Sequence, residues 1–141
     1  MNDNCVFCKI IKGEVPSYKL YEDAKTLAFL DIHPSSIGHT LIIPKRHVQK
    51  IEELSENEAK DLFRTLHLLV KPIQTAVKAS ASTIGINNGP DSGQEIPHLH
   101  VHIIPRSKGD GGGIIQGILR IEKGQNGEKM YSLMNKIRIL I

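Results

Sequence analysis

Several residue types are scarce in this sequence, and their scarcity excludes whole classes of protein. There is no tryptophan, and aromatic residues account for only 4% of the 141 residues. Proteins that bind nucleic-acid polymers usually concentrate their positive charge and stack bases on aromatic side chains. Here the 18 lysine and arginine residues are scattered and the net charge is only +3. We therefore expect no nucleic-acid polymer as a partner.

Long apolar runs are also missing, and cysteine is limited to Cys5 and Cys8. No stretch approaches the ~20 apolar residues that a membrane-spanning helix needs, and the N-terminus lacks the charged and apolar regions of a secretory signal. We expect a cytoplasmic protein with no membrane partner. Two cysteines spaced C-x-x-C indicate metal or redox chemistry rather than a disulfide framework. A redox role is the weaker interpretation, because the pair does not follow a strand of a βαβ unit.

The length is that of one domain, and the order of the predicted elements indicates its class. Residues 5–12 predict a short helix that ends at Gly13. A long helix begins at Ser55, where the sequence SENE matches a capping box, and Pro72 is expected to kink or split it. Short early connections favour antiparallel pairing. We therefore predict an α+β fold, a five-stranded antiparallel sheet with the long helix on one face. The predicted strands are residues 18–22, 26–32, 40–43, 82–87 and 98–104.

Residues 1–110 hold all of these elements and form the predicted domain. Residues 111–141 are interpreted as a C-terminal extension of the same domain, with no predicted placement. Helical periodicity occurs within this extension around Met130 and Ile137. Residues 107–113 contain four glycines and are expected to be mobile.

Three of the seven histidines fall within five residues, in the run HLHVH at residues 98–102. Successive side chains of a strand point to opposite faces. His98, His100 and His102 should therefore share one face, while the residues between them enter the core. Three charged imidazoles would repel one another, so at least one should be neutral near pH 7. His33 and His67, outside this run, are predicted to lie on the surface.

Two chemical interpretations of this face stay open, besides an outward face that merely tolerates histidine. The three imidazoles are suited to hold one metal ion, as in metal-dependent hydrolases. Alternatively, the central histidine attacks phosphorus and its neighbours tune it. The loop at residues 87–94 supplies amide side chains and glycine N–H groups, which suit an anionic oxygen such as phosphate. Carboxylates beside the run are limited to Asp91 and Glu95, and this balance favours phosphate chemistry.

Two blocks of the sequence resemble the histidine triad (HIT) family. Residues 29–34 (FLDIHP) and 38–47 (GHTLIIPKRH) are similar to its N-terminal block. Residues 93–102 (GQEIPHLHVH) are similar to its catalytic block, whose signature is H-x-H-x-H. The resemblance covers about residues 4–108. It implies a HIT-like fold, nucleotide hydrolysis or nucleotidyl transfer, and a homodimer.

The resemblance implies a catalytic role for four histidines. His100 is similar to the nucleophile that attacks the α-phosphorus of a nucleotide and forms a nucleotidyl-histidine intermediate. His102 resembles the partner that contacts the phosphate or handles the proton, and His98 and His39 resemble supporting residues. A backbone carbonyl opposite the nucleophile would fix its tautomer. The implied substrate is a purine nucleotide from which AMP is transferred, either a phosphoramidate or a dinucleoside polyphosphate.

The same resemblance implies a set of substrate-binding residues. Asp31 matches the acid that accepts the ribose hydroxyls. The phosphate side is formed by Asn87, Gly93 and Gln94. An apolar slot for the base is formed by Val6, Phe7, Ile10, Phe29, Leu30 and Ile32. Asp31 also suits a plain turn-capping role before Pro34, and Gln94 suits a solvated loop.

Some microbial members of the family bind zinc, and four residues here resemble their ligands. The implied metal ligands are Cys5, Cys8, His47 and His98. A structural zinc would tie the N-terminus to the sheet, and His98 would use one ring nitrogen for the metal and the other for the triad. The alternative is a pair of reduced core thiols. No organic cofactor is expected.

Two departures from the family pattern leave the substrate open. Glu95 stands where several members carry a serine or threonine that donates to the phosphate, and a carboxylate would repel it. A tryptophan near the C-terminus marks part of the phosphoramidase branch, and this sequence has none. Two other functions also stay open: a metal-dependent phosphohydrolase with a three-histidine site, and a nucleotide-binding regulatory module with vestigial activity.

Overall fold

The computed structural model describes residues 2–118 and 127–141, and within them it confirms the predicted α+β fold. The sheet has five strands in the order β1-β2-β3-β5-β4, and every neighbouring pair is antiparallel. Three helices accompany it, and none combines the length and apolarity needed to span a bilayer among the described residues. The elements are α1 (Val6–Lys12), β1 (Lys19–Glu22), β2 (Thr26–Leu30), β3 (Thr40–Pro44), α2 (Glu56–Val77), β4 (Ala81–Gly85), β5 (Val101–Arg106) and α3 (Gly127–Ile139).

Two predictions about helix ends, at Gly13 and at Ser55, are confirmed. Helix α1 ends at Gly13, whose φ of +80° lies in the left-handed region that glycine adopts without strain. Helix α2 begins at Ser55, whose hydroxyl accepts the Glu58 N–H at 3.3 Å while the Glu58 carboxylate accepts the Ser55 N–H at 2.8 Å. This reciprocal pair satisfies two donors that the first turn would otherwise leave unpaired.

Of the two effects expected at Pro72, a kink or a split, the split does not occur, since the helix continues as one element from Glu56 to Val77. Proline removes one backbone donor, which leaves the carbonyl of Leu68 without its helical partner. Both Pro72 and Leu68 lie on the exposed side of the helix. Water can therefore bind that carbonyl, and the buried side of α2 keeps its packing.

The sheet is covered on both faces, and each face has its own core. Helix α2 covers one face, and its fully buried Leu62 contributes about 2 kcal/mol by burial alone. The core under α2 contains Ala28, Ile42, Val48, Leu62, Leu66, Leu69, Ile73, Leu99, Val101 and Ile103. The shorter α1 covers the opposite face. The core on that side contains Cys5, Phe7, Cys8, Ile10, Leu27, Phe29, Leu41 and Ile43. Phe63 belongs to the helical periodicity of α2 but stays 47% exposed.

The alternation in the histidine run is confirmed, but its polar face is not an outward face. Leu99 packs under α2, whereas His98 and His100 lie on the opposite side against Phe7 of α1. His98 is fully buried and His100 is 7% exposed. The cause is α1, which folds back over this side of the sheet. Strand β5 itself begins only at Val101.

The glycine-rich segment after β5 has several hydrogen bonds that its composition did not predict, and its expected mobility stays a prediction. One carboxylate organises it: Asp110 accepts the backbone N–H groups of Ser107 and Gly112 at 3.1 and 2.9 Å. The guanidinium of Arg106 holds the same carboxylate in a bidentate pair and also donates to the carbonyl of Gly113. These bonds lower the pKa of Asp110, first through Arg106.

Helix α3 fits the periodicity predicted within the extension, and its side chains are largely exposed. Met130 and Ile137, the residues that carried that prediction, are about half exposed. Residues 119–126 of the predicted extension lie outside the described residues.

Candidate active site

A cavity of about 430 Å³ opens on the face of the sheet that carries the histidine run. His39, which immediately precedes β3, lines it together with His100 and His102 of the histidine run. Nine of the ten predicted substrate-binding residues line it, namely Val6, Phe7, Ile10, Phe29, Leu30, Asp31, Ile32, Asn87 and Gly93. The exception is Gln94. The cavity thus brings together side chains that are distant in the sequence.

One end of the cavity is apolar and flat-sided. The ring of Phe7 packs edge-on against Phe29, with ring centres 5.5 Å apart, and against His100 at 5.4 Å. The remaining apolar lining includes Val6, Ile10, Val15, Leu30, Ile32, Leu41 and Ile96. Ser17 lines the same cavity, and its hydroxyl is buried without a partner among the described residues. Such an end suits a planar heterocycle with one polar edge.

His100 has its tautomer fixed by the backbone. Its Nδ1 lies 2.7 Å from the carbonyl oxygen of His98, and a carbonyl only accepts, so Nδ1 carries the hydrogen. In the neutral ring, Nε2 then holds a free lone pair. His100 therefore presents a nucleophilic nitrogen at the cavity.

His102 has the opposite tautomer, which a chain of two hydrogen bonds sets. The backbone N–H of Ser35 donates to Nδ1 of His39 at 3.1 Å. Nε2 of His39 therefore carries the ring hydrogen and donates to Nδ1 of His102 at 2.9 Å. The hydrogen of neutral His102 is left on Nε2, which is buried and has no partner among the described residues. His102 therefore offers a donor where His100 offers a lone pair.

The neutral forms of His39 and His102 that this hydrogen-bond pattern assumes agree with the burial of the two rings. Desolvation, followed by the neighbouring His100 and His39, lowers the pKa of His102 to about 4. Desolvation likewise lowers the pKa of His39, against the opposing influence of Asp31. Both rings are consequently uncharged near pH 7.

Asp31 lines the cavity, where its contact with ribose is a prediction, and it also fixes a local turn. Its Oδ1 accepts the backbone N–H of His33 at 2.8 Å, which fixes the turn before Pro34. Its Oδ2 lies 3.5 Å from Nδ1 of His39 and lines the cavity. Carboxylate oxygens held in this way keep lone pairs for two hydroxyl donors.

The loop from Asn87 to Gln94 is shaped by a different set of contacts. The amide of Asn87 donates to the Gly93 carbonyl at 3.4 Å, and Gly93 has a φ of +90°. Gln94 turns away from the cavity lining, and its amide donates to the backbone carbonyl of Gln49 at 2.8 Å. Its predicted contact with phosphate stays a prediction, while its visible effect is to anchor the loop.

The four predicted metal ligands lie together. Their donor atoms, Sγ of Cys5 and Cys8 and the ring nitrogens of His47 and His98, are all within 4.8 Å of one another. Nδ1 of His98 is 3.4 Å from the Cys5 sulfur, 3.7 Å from the Cys8 sulfur and 3.3 Å from Nδ1 of His47. The edges of a tetrahedral zinc site with two sulfur and two nitrogen ligands are about 3.4–3.8 Å long. The donor set therefore fits a tetrahedral cation such as zinc.

The ring of His98 differs from the predicted division in one respect, because its second nitrogen is bonded to a backbone carbonyl and not to the triad. Nε2 donates to the carbonyl of Pro44 at 2.9 Å, which leaves the lone pair of Nδ1 for the cation. Burial lowers the pKa of His98 to about 4, so the ring is neutral and ready to ligate. Burial raises the pKa of the Cys5 thiol, an effect that a bound cation would oppose.

The three histidines of the run do not converge on one ion. Among the described residues, the other group with metal-like spacing is Asp31, His39 and His102. Two of its ring nitrogens are already bonded to each other. The side chain of His98 faces the cysteines, and Nδ1 of His100 donates a hydrogen bond to the backbone carbonyl of His98.

Sequence reasoning missed several contributors, most of them backbone groups. The N–H of Ser35 and the carbonyls of Pro44 and Gln49 carry no signal in a sequence pattern. His33, predicted as a plain surface residue, is exposed but lies at the edge of the cavity. His67 is exposed on α2, as predicted.

Comparison with known proteins agrees with the fold. The sequence model of the HIT domain matches residues 12–109. The chain is 46% identical over 118 residues to Protein hit of Bacillus subtilis, covering 80% of this chain and 79% of that protein. It is 45% identical over 103 residues to adenosine 5'-monophosphoramidase hnt1 of Schizosaccharomyces pombe, covering 73% and 74%.

Solved structures extend the similarity to almost the full chain. A HIT family protein from Bacillus subtilis superposes with a TM-score of 0.86 at 37% identity, covering 99% of this chain and 98% of that one. A histidine triad nucleotide-binding protein from Candida albicans superposes with a TM-score of 0.83 at 34% identity, covering 96% and 95%. The chain belongs to the HIT family.

Proposed function

We propose that this protein is a nucleotide hydrolase that transfers AMP to water through a covalent intermediate on His100. The observation that carries the proposal is the tautomer pair at the cavity: a free Nε2 lone pair on His100 beside an Nε2–H on His102. The apolar part of the cavity, which Phe7 and Phe29 line, suits a purine, and Asp31 suits the ribose. The substrate carries AMP on an amine, as a phosphoramidate, or on a second phosphate chain.

In the first step Nε2 of His100 attacks the α-phosphorus and forms the P–N bond. The bound phosphate anion favours one added proton on the His39–His102 pair, which Asp31 beside His39 helps to stabilise. As the bond from phosphorus to the leaving atom breaks, Nε2 of His102 gives that atom a proton and the pair becomes neutral again. The carbonyl of His98 holds Nδ1–H of the phosphorylated ring throughout.

In the second step a water molecule attacks the same phosphorus. The P–Nε2 bond breaks, its electron pair returns to His100, and AMP departs. The proton lost by water passes to Nε2 of His102. One proton leaves the pair for solvent when the anionic AMP departs, so the free enzyme again has the neutral pair. Two displacements replace one difficult step, which is the general gain of covalent catalysis.

The names of relatives support this choice of chemistry. Proteins 40–45% identical to the chain are described as adenosine 5'-monophosphoramidases in two yeasts. Another, from Arabidopsis thaliana and 43% identical, is described as an adenylylsulfatase. In those names the shared part of the substrate is the adenylyl group, and the leaving group differs.

Acid-quenched mass spectrometry with adenosine 5'-phosphoramidate tests the proposal. The wild-type chain should gain the mass of one adenylyl group, and peptide mapping should place it on His100. His100→Ala should lose the label and at least 10³-fold of kcat. His67→Ala, a histidine change on the exposed side of α2, should keep both. Nucleotide binding without label or turnover in the wild type would contradict the enzyme and support the regulatory module.

We also propose that zinc occupies the site formed by Cys5, Cys8, His47 and His98. The donor spacing supports it, and two thiolates with two imidazoles are a common structural zinc set. Bound there, zinc would supply structure: it would fasten the N-terminal segment to the residue that precedes the nucleophile. The hydrolytic steps above use none of its chemistry.

The third proposal is a homodimer. Strand β4 is an edge strand, and Ile84 on it is 38% exposed. Phe63 and Leu68 of the neighbouring α2 are each 47% exposed. A second copy that pairs along β4 and α2 would cover these residues. Sedimentation equilibrium should give twice the monomer mass, and Phe63→Lys should shift the equilibrium toward monomer.

A further inference from the structure

We propose that Glu95 makes this site select leaving groups by their charge, favouring an amine, above all one that bears an ammonium group, over an anionic leaving group. This inference rests on the proposed function and assigns a specificity role within it. Glu95 lines the cavity together with His100 and His102.

The first support is the charge of the cavity lining. Two carboxylates, Asp31 and Glu95, line the cavity, and no lysine or arginine does among the described residues. The chain as a whole is positive, with 18 basic and 15 acidic side chains, so the cavity differs in sign from the rest of the protein. A single phosphate anion can be held by His102 Nε2–H and backbone donors. A polyphosphate leaving group would bring further charges without a cation to meet them.

The second support is the contrast between the two carboxylates. Asp31 accepts the His33 N–H and lies beside Nδ1 of His39, so it has local partners. Glu95 makes no hydrogen bond or ion pair with the part of the chain that the structure describes, and it is exposed on the loop that leads into the histidine run. Its charge is therefore free to act on what enters the cavity mouth.

The third support is the division of the cavity lining. Asp31 and the apolar residues suit the nucleoside, and Glu95 is contributed by a different segment, the loop that leads into the histidine run. It therefore adds a charge to the cavity that the nucleoside does not require. A carboxylate there accepts N–H groups from an amine leaving group and repels carboxylates and phosphates.

The expected size of the effect follows from the interaction of two partly solvated charges. Unit charges several ångströms apart at a protein surface interact strongly enough to change a rate constant roughly 5- to 10-fold. An ammonium group gains this factor and a carboxylate loses it. The ratio of kcat/KM for the two should therefore be roughly 25- to 100-fold in the wild type.

The test compares three AMP phosphoramidates that share the same P–N bond. Their amines are ethylenediamine, propylamine and β-alanine, so the distal group is an ammonium, a methyl or a carboxylate. The wild type should rank them in that order by kcat/KM. Glu95→Gln should bring the cationic-to-anionic ratio to within about 3-fold of unity and leave the neutral substrate within about 2-fold. Raising the salt concentration should narrow the wild-type ratio.

Two further variants make the outcome decisive. Glu95→Lys should reverse the ranking and speed the hydrolysis of diadenosine tetraphosphate. Glu56→Gln removes a carboxylate at the start of α2, away from the cavity, and should leave the ranking unchanged. An unchanged ranking in both Glu95 variants, with normal turnover of the neutral substrate, overturns the inference and leaves the hydrolase intact. Absence of turnover and of label on His100 in the wild type overturns the hydrolase itself.

Discussion

The carbonyl oxygen of His98 accepts the Nδ1–H of His100 at 2.7 Å, while the side chain of His98 lies among the cysteine sulfurs. One residue thus joins the candidate metal site to the nucleophile. The side chain faces the cation, and the backbone sets the tautomer of the reacting ring. Any force that displaces the ring of His98 also tilts the carbonyl on which His100 depends.

Removal of the metal should therefore lower stability first and catalysis second. Cys8→Ser, or treatment with a strong chelator, should lower the melting temperature by about 10 °C or more, since structural zinc contributes directly to folding. The kcat should fall because the nucleophile is misplaced, and the KM should rise because α1, which supplies Phe7 and Ile10 to the cavity, loses its anchor. Calorimetry and steady-state kinetics measure the two effects, and zinc added back to the chelated wild type should reverse both.

A total and immediate loss of activity on chelation, with an unchanged melting temperature, would instead point to a catalytic metal. The comparison of His67→Ala with Cys8→Ser controls for nonspecific effects, since His67 is exposed on α2.

The tautomers of the histidine rings should be visible by nuclear magnetic resonance. Long-range ¹H–¹⁵N spectra at pH 7 should show Nδ1–H with a bare Nε2 for His100, and Nε2–H with a bare Nδ1 for His39 and His102. The carbonyl of His98 determines the tautomer of His100, and the N–H of Ser35 determines that of His39 and, through it, that of His102. The same tautomer on His100 and His102 would refute the division into lone pair and donor.

Gly38 and Gly13 form a matched pair for the cost of a side chain at positive φ. Gly38 has a φ of +83°, and an added Cβ would lie 2.8 Å from Cγ1 of Val77, whereas Gly13 has a φ of +80° and open space. Gly13→Ala should cost about 1 kcal/mol from backbone strain alone. Gly38→Ala should cost about 2–4 kcal/mol, because the helix α2 must also shift.

The two glycines also differ in their expected effect on catalysis, as Gly38 immediately precedes His39. Gly38→Ala should reduce kcat, and Gly13→Ala should not. Urea denaturation and steady-state rates distinguish the cases, and equal losses of stability in the two variants would exclude the steric contact as the cause.

Stability should fall on acidification partly because of His102. Its pKa in the folded protein is about 4, below the value of 6.5 for an unhindered ring. The unfolded chain therefore binds more protons between these values, and the stabilisation present above pH 6.5 is lost as the pH falls toward 4. The full difference corresponds to about 3 kcal/mol. His102→Gln should flatten the pH dependence of the unfolding free energy by about that amount, whereas an equally steep dependence would show that His102 is not responsible.

Local patterns in the sequence were sufficient for most of the fold. The capping box at Ser55, the glycine at position 13 and the alternation in the histidine run each act over a few residues, so the sequence carries them directly. The sequence could not decide whether Pro72 splits α2, because the outcome depends on which side of the helix faces water. The contacts of the glycine-rich segment could not be predicted from its composition, because they come from the carboxylate of Asp110.

The candidate site shows the same division. Residue types and family resemblance identified the side chains that gather at the cavity, from Asp31 to His102. The resemblance also implied a backbone carbonyl opposite the nucleophile, but not that it belongs to His98. It did not identify how the rings of His39, His98 and His102 are oriented, since the groups responsible are backbone atoms of Ser35 and Pro44. Tertiary contacts bring those atoms into place, and any residue type offers the same carbonyl.

Helix α1 has a consequence for how nucleotide affinity is controlled. Its seven residues supply Phe7 and Ile10 to the cavity and, with the preceding Cys5, Cys8 to the candidate metal site. If zinc and a purine bind as proposed, the cation would brace the wall that contacts the base. Supply of that ion and retention of the nucleotide would then be coupled through about two turns of helix, with no need for a second domain or a moving lid.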